Sequence, residues 1–99
     1  MSFSICIPTY NRSKYLHKLL DSIFKQHISI NFFKKIEIII VDDGSKDNTK
    51  SIVNSFIDKK KIKIVYHHQN NQGRSYALHK CINLCSNNYV MFMDDDDYF

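Results

Sequence analysis

Residues 36–49 read IEIIIVDDGSKDNT. The first six, Ile36, Glu37, Ile38, Ile39, Ile40 and Val41, are almost continuously apolar and β-branched, and the run stops at two carboxylates and the turn-forming Gly44. A run this short, bounded by turn chemistry, reads as a strand; one that does not alternate with polar residues reads as a strand covered on both faces, as in a parallel sheet. Helical spacing follows at once. Ile52, Val53, Phe56 and Ile57 recur as adjacent pairs four apart, behind Asp47 or Asn48 as the N-cap. The stretch is therefore one strand–loop–helix unit with its polar residues in the loop.

Working outward, the same unit repeats. Strands are expected at residues 3–7 (FSICI), 36–41, 62–66 (IKIVY) and 89–93 (YVMFM), the fourth as continuous as the second. A helix between the first two carries Tyr15, Leu16, Leu19, Leu20, Ile23 and Phe24; the third carries Ala77, Leu78, Cys81, Ile82 and Cys85. Strands alternating with helices predict an α/β fold: a Rossmann-like parallel sheet of four strands, joined by right-handed crossovers, with helices on both faces. No repeat, linker or low-complexity tract divides residues 1–99, which read as a single domain.

Composition narrows the function classes. Apolar residues are 43% and charged residues 24% of the 99, ordinary values for a globular chain and wrong for a disordered one. No apolar run approaches the roughly 18 residues of a membrane span, and the start MSFSICIPTY lacks the basic, then apolar, pattern of a signal peptide. The chain reads as cytoplasmic. Its net charge of +4 includes Lys59, Lys60, Lys61 and Lys63, a balance that also suits the anionic inner face of a membrane. Cys6, Cys81 and Cys85 read as small buried hydrophobes; a zinc site from His79, Cys81 and Cys85 lacks a CxxC pair and a second cluster to complete four ligands.

In open parallel sheets ligands bind beyond the carboxyl ends of the strands. The chemistry-bearing residues fall there: PTYNR (8–12), DDGSKDNT (42–49), HHQNNQGR (67–74) and DDDD (94–97). With only two glycines, neither GxGxxG nor GxxxxGK[ST] is present, so no glycine-rich cradle holds a phosphate. A divalent cation on hard oxygen ligands does the same work by bridging carboxylates to phosphates. Alternate residues of an extended chain share a side, which pairs Asp94 with Asp96 as metal ligands and sends Asp95 the other way. Asp97 fits a helix cap. Asp42 and Asp43 make a turn with Gly44 and offer acceptors for a base N–H or ribose hydroxyls. Tyr10, between a strand end and a helix, is placed to stack on a base.

Taken in order and spacing, SICIPTYNR, IEIIIVDDGSKDNT, NNQGRSYALHKCI and NYVMFMDDDD resemble the start of family 2 glycosyltransferases with the GT-A fold. The resemblance covers nearly the whole chain. It implies the N-terminal, nucleotide-sugar-binding half of that fold, with Pro8, Thr9 and Tyr10 lining the base pocket, Asp43 on the base, and Arg74 near the nucleotide or diphosphate. It also implies that Asp94 and Asp96 form the DxD motif holding Mn²⁺ or Mg²⁺, with Asp42 and Asp95 among the substrate contacts. Leu78 and His79 depart from the Arg and Asn that the family often has there.

The function so implied is donor binding in metal-dependent transfer of a sugar from a nucleoside-diphosphate sugar, UDP-sugar foremost, to a saccharide or lipid-linked acceptor. No residue reads as the catalytic base, and the 99-residue chain alone is expected to be inactive and truncated just after the DxD strand. The same acidic site would serve a metal-dependent nucleotidyl- or phosphotransferase, or a nucleotide-binding module without catalysis. Nucleic acid is not an expected partner. A fourth strand left as a sheet edge would favour a homo-oligomer through that edge.

Overall fold

Strand β2 (Ile36–Asp42) is buried at every one of its residues. The structure is a computed structural model that describes residues 3–25, 35–87 and 89–94. Around β2 lie β1 (Phe3–Thr9), β3 (Lys63–His68) and β4 (Tyr89–Phe92), with helices α1 (Ser13–Phe24), α2 (Thr49–Ile57) and α3 (Arg74–Leu84) between them in the expected alternation. The four strands form one parallel sheet in the order β3-β2-β1-β4. The strand order therefore reverses between β1 and β4, which puts the topological switch point at the carboxyl ends of those two strands.

The pleat sorts the core. Ile5 and Ile7 of β1 with Ile36, Ile38 and Ile40 of β2 face α1 and α2, meeting Leu16, Leu19, Leu20, Ile23, Val53 and Phe56. The intervening Cys6, Ile39 and Val41 face α3 and meet Ala77 and Cys81. Among the described residues helices thus cover both faces, two on one and one on the other. The cysteines do pack as small apolar residues: Cys6 and Cys81 are fully buried, and Cys85 Sγ lies 3.3 Å from Cys6 Sγ. Burial, aided by the neighbouring Cys6 thiol, pushes the Cys85 thiol up to about 11.

Three expectations need correction. The strands run further toward the site than their apolar runs: β1 to Thr9, β2 to Asp42 and β3 to His68. The ladder continues through polar residues because Asp43 N–H donates to Thr9 O at 2.9 Å and Gln69 N–H to Asp42 O at 2.9 Å. Strand β4 is not covered on both faces; Tyr89, Val90, Met91 and Phe92 are all exposed, Tyr89 by 54%. It lies at the sheet edge beside β1, while α3 packs over β1 and β2. Tyr15, counted in the α1 stripe, is exposed with the Arg12 guanidinium 4.7 Å from its ring centre. At the start of α2, Asn48 occupies the cap position, but it is the Asp47 carboxylate that accepts from Thr49 N–H (3.1 Å), Thr49 Oγ1 (2.5 Å) and Ser13 N–H (3.2 Å).

One charge sits inside the opposite end of the sheet. Glu37 is 2% exposed and its Oε2 accepts from Ser4 Oγ (2.6 Å), Ser86 N–H (2.7 Å) and Ser86 Oγ (2.8 Å), while Lys63 Nζ stands 3.6 Å from Oε1. A single carboxylate thereby joins β1, β2, β3 and the turn before β4. Burial alone would raise its pKa; the hydrogen bonds from Ser4 and Ser86 and the Lys63 ammonium outweigh that and hold it below the ordinary 4.5. A depressed folded-state pKa means that this stabilisation is present above pH 4.5 and is lost as pH falls below it. Glu37→Gln, which turns an N–H₂ toward fixed donors, should cost about 2 kcal/mol in urea unfolding at pH 7. The deficit should shrink at about pH 3; an equal deficit at both pH values would contradict the assignment.

Candidate nucleotide site at the strand ends

Asp42 and Asp43 are adjacent, so the pleat sends their side chains to opposite faces. Asp42 turns to the α1/α2 side, is 1% exposed, and accepts from Ser45 N–H at 2.8 Å and Tyr66 Oη at 2.5 Å. Burial, then the bond to this carboxylate, raises the Tyr66 phenol above its ordinary range. Asp43 turns to the α3 side, is 6% exposed, and gathers the β3–α3 loop: Oδ1 accepts from Gln69 Nε2 (2.9 Å) and Gln72 N–H (2.8 Å), Oδ2 from Gly73 N–H (3.0 Å). Burial pushes its pKa up, but the bonds from Gln69, Gln72 and Gly73 prevail and hold it below the usual carboxylate range. Asp43 is therefore an ionised, acceptor-only group.

Beside Asp43 opens a cleft of about 350 Å³ lined by Pro8, Thr9, Tyr10, Arg12, Asp43, Asn71, Gly73, Arg74 and Ala77. That is a volume typical of small-molecule sites. Of the residues picked from sequence, it brings together Pro8, Thr9, Tyr10, Asp43 and Arg74 and leaves Asp42 out of the lining, held in the turn behind. Tyr10 is 46% exposed, its ring free of the core. Arg74, the first residue of α3, pairs through Nη2 with Asp94 Oδ1, so the start of α3 is tied to the chain leaving β4. Asp94 is thereby at the switch point. Asp95 and Asp96, named as a substrate contact and a metal ligand, lie outside the described residues, as does Asp97. Among the described residues no three His, Cys, Asp or Glu side chains are grouped to hold a metal ion.

The loops are braced against each other. Asn11, in the left-handed region at φ 50, donates its N–H to Ser45 Oγ at 2.8 Å and accepts from Lys46 N–H on Oδ1 at 2.8 Å, joining the loop after β1 to the loop after β2. Gly44 (φ 94) passes so close to Asn71 that a Cβ there would lie 3.0 Å from the Asn71 nitrogen, so glycine permits both the backbone angle and the approach of the loop after β3. Sequence reading passed over Arg12, Asn71, Gly73 and Ala77 as lining residues and Gln69 and Gln72 as partners of Asp43. Arg12, Gln69, Asn71, Gln72 and Gly73 all lie within the strand-end loops, which is their signal; nothing local pairs Gln69 with Asp43, 26 residues away.

Comparison with known proteins bears on the family and the fold. The family model described as glycosyl transferase family 2 matches residues 4–99. The glycosyltransferase GlyA of Streptococcus pneumoniae is 40% identical over 95 residues, covering 96% of this chain and 13% of GlyA. The poly(ribitol-phosphate) β-N-acetylglucosaminyltransferase TarS of Staphylococcus aureus is 35% identical over 98 residues, covering 99% of this chain and 17% of TarS. A crystal structure of TarS residues 1–349 in complex with UDP-GlcNAc superposes with TM-score 0.85 at 32% identity, over 99% of this chain and 27% of that one. A mannosyltransferase from Pyrobaculum calidifontis, in complex with GDP-Man and Mn²⁺, has the same fold at 23% identity and TM-score 0.85, over 98% of this chain and 28% of that one. The chain spans less than a fifth of the length of GlyA and of TarS.

Because Asp43 holds the loop as well as facing the cleft, removing it has two effects. Asp43→Ala should lower stability by about 2–4 kcal/mol, since three donors lose a charged acceptor. Asp43→Asn, which keeps one acceptor oxygen, should lose about half as much. Denaturant unfolding of both variants checks the order; an Asp43→Ala chain as stable as wild type would show that the loop does not depend on this carboxylate.

Proposed function

The chain belongs to glycosyl transferase family 2, and on that premise we propose that it is the donor-binding part of a glycosyltransferase, holding a nucleoside-diphosphate sugar, UDP-sugar foremost, for transfer to an acceptor. The observation that carries this is the Asp43 carboxylate: held below the usual carboxylate range, accepting three hydrogen bonds from the loop, and lining the cleft with acceptor capacity to spare. An acceptor-only group reads a ring N–H. Uracil offers one at N3, where cytosine offers a lone pair, and an unmatched acceptor pair in a closed cleft costs affinity.

The other walls fit the rest of the donor. Tyr10, exposed beside Pro8 and Thr9, gives the base a face to stack on. The amino-terminal end of α3 brings a positive dipole end and the Arg74 guanidinium to the side where a diphosphate would lie. Asp94, with Asp96 two residues on, would hold Mn²⁺ or Mg²⁺. The described part of that set is one carboxylate, carried to the switch point by β4 and already facing a cation in Arg74. The metal supplies charge neutralisation of the diphosphate, which clustered carboxylates would otherwise repel. This chain's own part is to orient the base through Asp43, keep it stacked, and present Arg74 and the acidic run to the phosphates. Binding of Mn²⁺ and GDP-Man by the Pyrobaculum mannosyltransferase and of UDP-GlcNAc by TarS supports the reading.

Calorimetry on the 99-residue chain tests it. UDP should bind at least about tenfold more tightly than CDP, the worth of one mismatched hydrogen bond. Mn²⁺ should tighten UDP binding, and Asp96→Asn should abolish that gain while Asp97→Asn leaves most of it. Equal affinity for UDP and CDP would remove the role given to Asp43, and equal UDP affinity in EDTA and in Mn²⁺ would remove the metal.

A further inference from the structure

Gln69 follows the last residue of β3 and is 8% exposed. Its backbone is already placed: Gln69 N–H donates to Asp42 O at 2.9 Å and so extends the ladder beyond His68. The side chain makes a separate contact. Gln69 Nε2 donates to Asp43 Oδ1 at 2.9 Å, and its Oε1, buried, has no hydrogen-bond partner among the described residues. The carboxylate decides which end of the amide faces it, because the reverse orientation would set Oε1 against an oxygen that only accepts. A leucine of similar size would bury no orphaned acceptor, so the amide's one hydrogen bond is what distinguishes glutamine here.

That bond is not needed to tie down the β3–α3 loop. Gln72 N–H (2.8 Å) and Gly73 N–H (3.0 Å) already bring the loop's backbone onto the same carboxylate. What Gln69 changes is the carboxylate itself. Each carboxylate oxygen has about two lone-pair positions. Oδ1 receives Gln69 Nε2 and Gln72 N–H and is filled; among the described residues Oδ2 receives Gly73 N–H alone. The acceptor position left over is therefore on Oδ2. Burial pushes the carboxyl up, and the Gln69 bond is the foremost of the three that bring it below the usual range. The other charged and titratable groups around it are Arg12 from the loop after β1 and Arg74 from α3, which share the cleft lining, Asp42 with Tyr66 on the opposite face, and His67 and His68 ahead of Gln69 on β3.

We propose that Gln69 is the positioning residue that sets base selectivity: it fills Oδ1 together with Gln72, fixes the plane of the carboxylate and leaves Oδ2 to accept a single ring N–H, as uracil offers at N3. The inference rests on the nucleotide-binding reading above. A carboxylate without that clamp turns more freely about its Cβ–Cγ bond and takes up a proton more readily, and a protonated carboxyl donates to the N3 lone pair of cytosine. Gln69 does not line the cleft. It acts on the ligand through Asp43.

Calorimetry with UDP and CDP on the full chain, as wild type and as two variants, tests this. The ratio of the two affinities is the readout, because the diphosphates titrate alike and cancel. Wild type should prefer UDP at least about tenfold. Gln69→Leu should narrow that preference by about threefold or more, and the Asp43 carboxyl should titrate at higher pH when followed by its ¹³C resonance. Gln69→Glu sets a second carboxylate against Oδ1, and two facing carboxylates share a proton. Its preference should fall toward parity at about pH 6 and widen again toward about pH 8 as that proton leaves. On wild type, with no substitution to disturb the fold, the Gln69 side-chain amide resonances should move with the Asp43 titration. A residue that only braces the loop would lower stability in urea and leave the UDP to CDP ratio and its pH dependence as they are in wild type; that result in either folded variant overturns the proposal, as do amide resonances indifferent to the Asp43 titration. A UDP preference that survives both substitutions removes Gln69 alone, whereas equal affinities in wild type remove the role of Asp43 and this inference with it.

Discussion

A strand that is buried on both faces for its whole length constrains everything around it. Strand β2 must place each backbone polar group in a ladder and each side chain against a helix, because water reaches neither face. Among the described residues its two neighbours supply the ladders, and α1, α2 and α3 supply the cover. Helices α1 and α2 close one face, α3 alone closes the other over β1 and β2, and β4 is left outside. The same pleat that alternates Ile38, Ile39 and Ile40 between faces sends Asp42 behind the cleft and Asp43 into it.

The fold was legible because its determinants are local. The run 36–41 declares a doubly covered strand by its composition, and the paired spacing of Leu16, Leu19, Leu20 and Ile23 declares a helix with one apolar stripe. What misled was the use of apolarity as a measure of burial. YVMF is as apolar as IIIV, yet one is an edge and the other a centre; the difference lies in strand order, which no residue of β4 encodes by itself. The polar ends of the strands were likewise underread, since Thr9, Asp42 and His68 pair through backbone atoms whatever their side chains.

The candidate site was half legible, for a similar reason. Strand-end chemistry points to Tyr10 and Asp43, the family resemblance adds Pro8, Thr9 and Arg74, and the cleft gathers all five. The relations that make them a site are long-range: Gln69 and Gln72 on Asp43, Ser45 and Lys46 on Asn11, Gly44 against Asn71. Glu37 carries no role in the sequence, because nothing local shows how a lone charge in a doubly covered strand is satisfied until three donors from Ser4 and Ser86 are brought to it. Sequence reveals which chemistry is available at a strand end; tertiary contacts decide which of two adjacent carboxylates does which task.

The two sides of the cleft are built to different stiffness. On the Asp43 side, three loops are cross-linked by hydrogen bonds and rest on buried strands. On the Asp94 side, the chain hangs from a four-residue edge strand with exposed side chains, one ladder to β1 and the Arg74 pair. Regions with few buried contacts and exposed backbone bonds open at low free energy. A ligand held as proposed would meet one wall that selects and one that yields, so discrimination would be set by the first contact and adjustment would fall to the second. Enzymes that must grip a common nucleotide while accepting varied attachments to it gain from that division: the invariant part of the ligand meets an unyielding surface, and variety is absorbed at the edge.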